Sequence, residues 1–290
     1  MTRLGYPCIN TVLRKNNIFC ARTCRKANFS VEKVQQLALQ NCLDLNTILQ
    51  WNVDNRVDFM RVSSNLFPFY DDLDLGWSLP REVIMALQEC QFYTNSGYRL
   101  TTHPGPYTVL SSENPEVRLK AYRTMTMHYL IGYDLYYDVY PRKRDYCINI
   151  HVGRSFSERA AEIFCHTIRE MDSAIVDQIT IENDDKPNGW TVQNLKKYIS
   201  DEVGIPIVFD YHHHRFCNEG ETPEEALEIA LSTWPDHRRP KVHYSESRPG
   251  NRPQAHSDLV KSIPSCFEGL DVMVEAKKKE QAIMPFIQNA

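Results

Sequence analysis

No stretch of the 290 residues approaches the roughly 20 consecutive apolar positions that a membrane-spanning helix needs. A signal-peptide core is missing too. The opening Met-Thr-Arg-Leu-Gly-Tyr leads straight into a short apolar run, so an intracellular location is expected, in the cytoplasm, nucleoid or nucleus, with no membrane partner. No second Cys or His pair follows Cys20 and Cys24 at zinc-finger spacing. The nine cysteines are an odd number scattered from Cys8 to Cys266, so neither a structural zinc nor a disulfide framework is expected. No Gly-x-Gly-x-x-Gly turn follows the first apolar run, which argues against an open dinucleotide-binding sheet. Repeats and low-complexity linkers are also absent.

With 42% hydrophobic and 24% charged residues, the composition is that of an ordinary globular protein. A chain of this length suits one α/β barrel, so a single domain over residues 1–290 is expected. The net charge of −4 counts against a nucleic-acid binder on average. Its distribution is uneven, however. Residues 1–30 contain no Asp or Glu, while Arg3, Arg14, Lys15, Arg22, Arg25 and Lys26 stand there among Tyr6, Phe19 and Phe29. Arg142, Lys143 and Arg144 form a second basic cluster, and Arg238, Arg239 and Lys241 a third. Such clusters are common on solvated surfaces, and by themselves they lean only a little towards nucleic acid.

Short apolar runs alternate with amphipathic stretches, the pattern of a parallel sheet covered by helices. Strands are expected at 4–10, 59–64, 98–103, 147–153, 178–183, 206–211, 241–245 and 271–276. Helices are expected at 33–52 after a Ser30 cap, and at 81–93, 115–133, 157–171, 191–203 and 223–234. The connection 246–270 is loop-rich, with room for a short helix near 257–262. Eight strands in this arrangement predict a (β/α)8 TIM barrel.

The His, Glu and Asp residues fall where such a barrel places its chemistry. His103, His151, Glu182, Asp210, His213, His243, His256 and Glu275 lie at or just beyond the C-terminal ends of strands three to eight, which converge on one face. Packing so many ionisable groups together without a cation would cost several kcal/mol per buried charge, roughly, so bound metal is the natural compensation. Eight ligands exceed the need of one ion, which points to two or three. Imidazole and carboxylate without Cys suit Mn, Zn or Fe better than Ca. Clustered ions of this kind clamp the oxygens of a phosphodiester and activate water, so phosphoester hydrolysis is the chemistry suggested.

Local words sharpen this. Leu-Gly-Tyr-Pro-Cys-Ile-Asn at 4–10, Arg-Val-Ser-Ser-Asn-Leu-Phe-Pro at 61–68, His-Pro-Gly at 103–105 with Tyr107, and His-Val-Gly at 151–153 resemble the UV damage endonuclease family. So do Ile-Glu-Asn-Asp-Asp-Lys at 181–186, Asp-Tyr-His-His-His at 210–214, Lys-Val-His-Tyr-Ser at 241–245 and Val-Glu-Ala-Lys-Lys-Lys-Glu at 274–280. The resemblance runs nearly end to end and in order. It implies a manganese-dependent barrel that cuts damaged double-stranded DNA immediately 5′ of UV photoproducts, with no obligate protein partner. Zn, Co and Mg are the other candidate ions. It assigns the eight residues above to the metals, gives Glu182, Lys241, His243 and Glu275 the catalytic roles, and makes Tyr6, Asn10 and Tyr107 probes of the lesion. Arg22, Arg25 and Lys26 would meet the DNA backbone. Lys241 shares a strand face with His243 by the period of two. The resemblance allows it to be a carboxylated lysine, the alternative being a plain lysine on phosphate.

Two positions depart from the family pattern. Pro106 stands where Gln is common, and Asn65 where some members have a metal-ligating His; an amide oxygen coordinates more weakly, which bears on the third ion. The competing readings are an apurinic-type endonuclease or sugar isomerase on the same barrel, and a damage-binding protein that has lost nicking. The basic, aromatic first loop favours DNA over a small neutral sugar.

Overall fold

The computed structural model describes residues 2–72, 74–136, 145–153, 155–250 and 252–288. Eight strands form one sheet: β1 (Arg3–Pro7), β2 (Phe59–Val62), β3 (Arg99–Thr102), β4 (Ile148–Ile150), β5 (Ile179–Glu182), β6 (Ile207–Val208), β7 (Lys241–Tyr244) and β8 (Asp271–Val274). All the paired strands run parallel. Their order, β6-β5-β4-β3-β2-β1-β8-β7, is a ring in chain sequence that opens between β6 and β7. A parallel bridge between Asp210 and His243 closes it, and the His243 N–H donates to the Phe209 carbonyl at 2.8 Å. The chain is therefore a (β/α)8 barrel. Each expected strand is present but stops short at its C-terminal end. The residues beyond the ladder, His103 and His151 among them, turn into the bowl instead of continuing the pairing.

Alternate strand residues fill the interior. Gly5 is one: a Cβ there would meet the Phe59 carbonyl at 2.6 Å and the Phe59 ring at 2.9 Å, so the missing side chain is what admits that ring. At the opposite end from the bowl, the buried Asp271 carboxylate accepts from Arg3 Nε and Arg99 Nη1, both at 2.7 Å, and from Arg239 Nε at 2.5 Å. Cys147 Sγ accepts from Arg99 Nη2 at 3.1 Å and Arg238 Nη2 at 3.2 Å. The basic cluster at Arg238, Arg239 and Lys241 is thus largely taken up by the barrel floor and interior, with only Arg239 partly exposed. The cluster at 142–144 lies outside the described residues.

The helices follow from capping and periodicity. Ser30 accepts from the Lys33 N–H at 3.2 Å to start Val31–Asp54, whose buried face carries Val34, Ala38, Cys42, Leu45, Ile48 and Leu49. Pro115–Leu135, Glu158–Glu170 and Pro223–Leu231 form close to where they were expected, the last behind a Thr222/Glu225 capping box. The stretch expected at 81–93 breaks into Arg81–Gln88 and Gln91–Asn95, and 191–203 contains a π turn at Lys196–Ser200.

The short helix expected near 257–262 does not form. Its carbonyls are already taken: Ser257 O and Asp258 O accept from the Lys277 and Lys278 N–H groups at 2.9 and 3.0 Å, while the Lys261 N–H donates to Glu246 Oε1 at 2.6 Å. A final helix, Glu280–Ile287, forms around Pro285, a residue that hides it in the sequence. All nine cysteines are free, and among the described residues no helix is long and apolar enough to cross a membrane.

Candidate metal centre

The strand ends bring seven of the expected ligands into three overlapping donor sets. His103, His151 and Glu182 form one; Glu182, Asp210 and His213 a second; Asp210, His243 and Glu275 a third. Within each set the donor atoms lie within 4.8 Å of one another. Glu182, at the end of β5, joins the first two. Its Oε2 lies 3.4 Å from His103 Nε2, and its Oε1 lies 3.1 Å from His243 Nδ1 and 3.4 Å from His213 Nδ1. Asp210 joins the second and third.

Neighbouring groups fix how these side chains point. His103 Nδ1 is 2.9 Å from the Pro104 carbonyl, which leaves Nε2 to face Glu182. His213 Nδ1 is 2.8 Å from the Asn183 carbonyl, and the Asp210 carboxylate caps the His213 N–H at 2.8 Å. His151 Nδ1 lies 2.8 Å from Asp184 Oδ1. A second carboxylate or carbonyl behind a ligating imidazole sets its tautomer and orientation. Asn149 donates to Glu182 Oε2, and Arg61 donates to Glu275 Oε1.

The residues fit a cation by what they leave unsatisfied. Asp210 Oδ2 and both ring nitrogens of His243 are sealed from water and make no hydrogen bond. His243 Nδ1 is near Glu182 Oε1 but out of line for one. Buried polar atoms without partners are costly, and a divalent ion among these donors would satisfy them. Burial alone would raise the Glu182 carboxyl, but His243, His151 and His103 hold it well below the usual range. Burial lowers His103 to about 4, so its imidazole is neutral and ready to ligate.

His213 is different. Burial lowers it, yet Asp210 and Glu182 carry it up to about 9, so without a cation it holds a proton at neutral pH. A cation taking this nitrogen must displace the proton, and binding then becomes easier as pH rises. The affinity of metal-free protein for Mn is expected to climb up to tenfold per unit between about pH 7 and 9 and to level off above. Calorimetry in two buffers of different ionisation enthalpy checks this by counting the protons released. A pH-independent affinity with no release would remove His213 from the ligands.

The other expected site residues are placed as follows. His256 is half-buried with Nδ1 2.7 Å from Ser245 Oγ, and its ring centroid is 6.4 Å from that of His213. It stands beside the donor sets and belongs to none of the three. Asn65 is exposed in the loop after β2, and its carbonyl accepts from Asn41 at 3.1 Å. Lys241 points inward on the face it shares with His243 and is fully buried, its Nζ without a hydrogen-bond partner.

Tyr6 and Asn10 are fully buried. The Tyr6 hydroxyl donates to Asn52 Oδ1 at 2.7 Å and accepts from Asn10 Nδ2 at 3.2 Å, while Asn10 Oδ1 caps the helix Thr11–Arg14 through the Leu13 N–H. Neither side chain faces a DNA surface. Tyr107, by contrast, is 90% exposed at the rim of a cleft of about 470 Å³ lined by His103, Pro104, Pro106, His151 and His213. Arg22 is already engaged: it donates to Asp44 Oδ2 on the helix Val31–Asp54 at 2.5 Å and lies 4.1 Å from the centroid of the Phe19 ring in its own loop. Lys26 is exposed but paired with Asp72 at 2.9 Å, and Arg25 is exposed.

Reasoning from sequence passed over the residues that orient the donors: Arg61, Asn149, Asn183, Asp184 and Ser245. The period of two could have found Arg61, two beyond Phe59, and Asn149, two before His151.

Fold and site together define a (β/α)8 barrel whose C-terminal bowl is built to hold divalent cations. The profile of the family described as UV-endonuclease UvdE matches residues 2–289, and the chain belongs to that family. A UV-damage endonuclease of Schizosaccharomyces pombe is 35% identical over 97% of this chain and 49% of its own length, so the chain spans about half of that relative. The crystal structure of SacUVDE superposes with a TM-score of 0.86 at 28% identity, covering 100% of this chain and 98% of the other. Endonuclease IV from Thermus thermophilus shares the fold, with a TM-score of 0.60 at 12% identity over 99% of this chain and 96% of that one.

Proposed function

We propose that this barrel hydrolyses DNA immediately 5′ of UV photoproducts and related lesions, using two or three divalent ions, Mn first among them. The observation that carries the reading is the sharing of Glu182 and Asp210 among three donor sets, which suits ions close enough to act together on one phosphodiester. Family membership and the likeness to SacUVDE along the whole chain support it. Bound divalent ions would supply charge neutralisation at the phosphate and activation of water. The chain's own contribution is the arrangement. Glu182 and Asp210 set the spacing of the donor sets, Pro104 and Asn183 orient His103 and His213, and Arg61 steadies Glu275. The buried, unpartnered Lys241 amine supports the carboxylated form over a phosphate contact.

With Tyr6 enclosed, the exposed ring of Tyr107 is left to read the lesion. The test is a duplex with one defined photoproduct, incubated with the protein and Mn, with the cut mapped. Cutting immediately 5′ of the lesion, with intact duplex spared, is expected. Base–aromatic stacking is worth about 1–3 kcal/mol, so Tyr107→Ala should lose roughly ten- to hundredfold in damage-specific cutting while metal content stays unchanged. Restoring Gln at Pro106 should sharpen discrimination. Wild-type cutting by Tyr107→Ala would show that lesions are read elsewhere, and an uncut photoproduct duplex under every ion would end the nuclease reading itself.

A further inference from the structure

The turn after β8 carries a lysine that the metal centre leaves unused. Lys279 adopts φ 52° and ψ −121°, the conformation of the first central position of a type II′ turn, which glycine normally occupies. The turn closes through the Gln281 N–H on the Lys278 carbonyl at 3.0 Å. A side-chain-bearing residue stays in such a conformation only where its surroundings over-determine it.

Here they do. On one side the Glu275 N–H donates to Tyr244 O at 2.8 Å, and the Lys277 and Lys278 N–H groups are fixed on Ser257 and Asp258. On the other, the buried Glu280 carboxylate receives the Thr11 and Val12 N–H groups at 2.8 and 2.9 Å, docking the turn onto the helix Thr11–Arg14. Lys279 is held between two clamps and cannot relax.

What the clamps hold is a cation with nothing assigned to it. Lys279 is half-buried, and the ionisable groups that act on it are Cys8, Arg61, Glu275 and Glu280. Arg61 is committed to Glu275, and Glu280 to the helix it docks. Among the described residues no acceptor holds the Lys279 ammonium. It stands on the β8–β1–β2 side of the bowl, beside the donor carboxylate of Glu275, and the neighbouring strands β3 and β4 lead into His103 and His151. A phosphodiester entering the bowl brings a full negative charge to that place.

We propose that Lys279 binds a non-bridging oxygen of the scissile phosphate and stabilises the charge that develops there, an inference that rests on the nuclease reading. The strained turn is what aims it. Lys279→Gly removes the ammonium and the strain together, and Lys279→Arg keeps the charge. The measurements are single-turnover cutting of the photoproduct duplex, the salt dependence of binding to that duplex by metal-free protein, and thermal unfolding.

The Gly variant should unfold no earlier than wild type, cut about a hundredfold more slowly, and bind with a slope of log affinity against log salt flatter by about one. The Arg variant should recover most of both. Should Lys279→Gly cut within about threefold of wild type with an unchanged slope, the phosphate contact is refuted while the nuclease reading stands. If the wild type cuts nothing, the nuclease reading falls, and the salt slope alone decides whether Lys279 meets phosphate.

Discussion

Replacing Glu182 with Gln should reduce metal-supported cutting by more than about a thousandfold while leaving the fold intact, because ligands of a shared metal cluster act as a unit. The change is nearly isosteric, and Asn149 can still donate to the remaining amide oxygen. What disappears is the charge and one of two oxygens. Glu182 presents Oε2 towards His103 and Oε1 towards His243 and His213, so an amide nitrogen on either side faces donors meant for a cation. Since His243, His151 and His103 outweigh burial and keep this carboxyl ionised, Gln removes a full charge from the junction of two donor sets. His243→Ala should act similarly. Single-turnover cutting, elemental analysis of bound metal and circular dichroism decide the matter together. Activity within about tenfold of wild type in both variants, with metal retained, would mean that the bowl is not where the phosphodiester is broken.

At the other end of the barrel, Asp271→Asn should destabilise the protein by about 3–5 kcal/mol without touching the bowl, because it leaves buried guanidinium groups around a neutral amide. Arg99 is only 1% exposed and has no route to water. Burial alone would raise the Asp271 carboxyl, but Arg99 and Arg3 bring it down to about 2. A depressed carboxylate stabilises the fold fully above its unfolded pKa of about 4, and that contribution is lost as pH falls through the folded value near 2. The gap between wild type and Asp271→Asn should therefore be widest near neutrality and narrow between about pH 4 and 2. Urea unfolding across that range measures it. A difference below about 1 kcal/mol at pH 7 would show that the arginines find other partners.

How much of this was legible in the sequence depends on where the partner of each residue lies. That His103, His151, Glu182, Asp210, His243 and Glu275 come together could be read because each sits at a strand end, and strand ends of one barrel converge whatever the rest of the chain does. Tyr6 misled for a reason of parity. Gly5 faces the interior beside Phe59, so Tyr6 faces outward to the helix Val31–Asp54, where Asn52 takes its hydroxyl. Arg22 and Lys26 looked like a phosphate-binding loop because the local window contains no acid. Their counter-charges, Asp44 and Asp72, arrive from the next helix and the loop after β2. The helix expected near 257–262 failed similarly, its carbonyls claimed by amides twenty residues downstream. Lys279 was written in the sequence but unremarkable there, since nothing in Lys-Lys-Lys-Glu announces a left-handed backbone.

The closure of the barrel between β6 and β7 has one more consequence. β6 contributes only Ile207 and Val208 to the sheet, and the seam beyond it rests on the bridge between Asp210 and His243, which share a donor set. The joint that closes the barrel and two of the three members of the third donor set are thus the same pair of residues. A cation held between them would also act as a rivet in the barrel wall, so loading the site and completing the architecture become a single event. Because the bridge is made by the backbone, a side-chain substitution at Asp210 or His243 leaves the ring shut but takes away the rivet that a cation would supply. A donor such as His151 has no share in that joint.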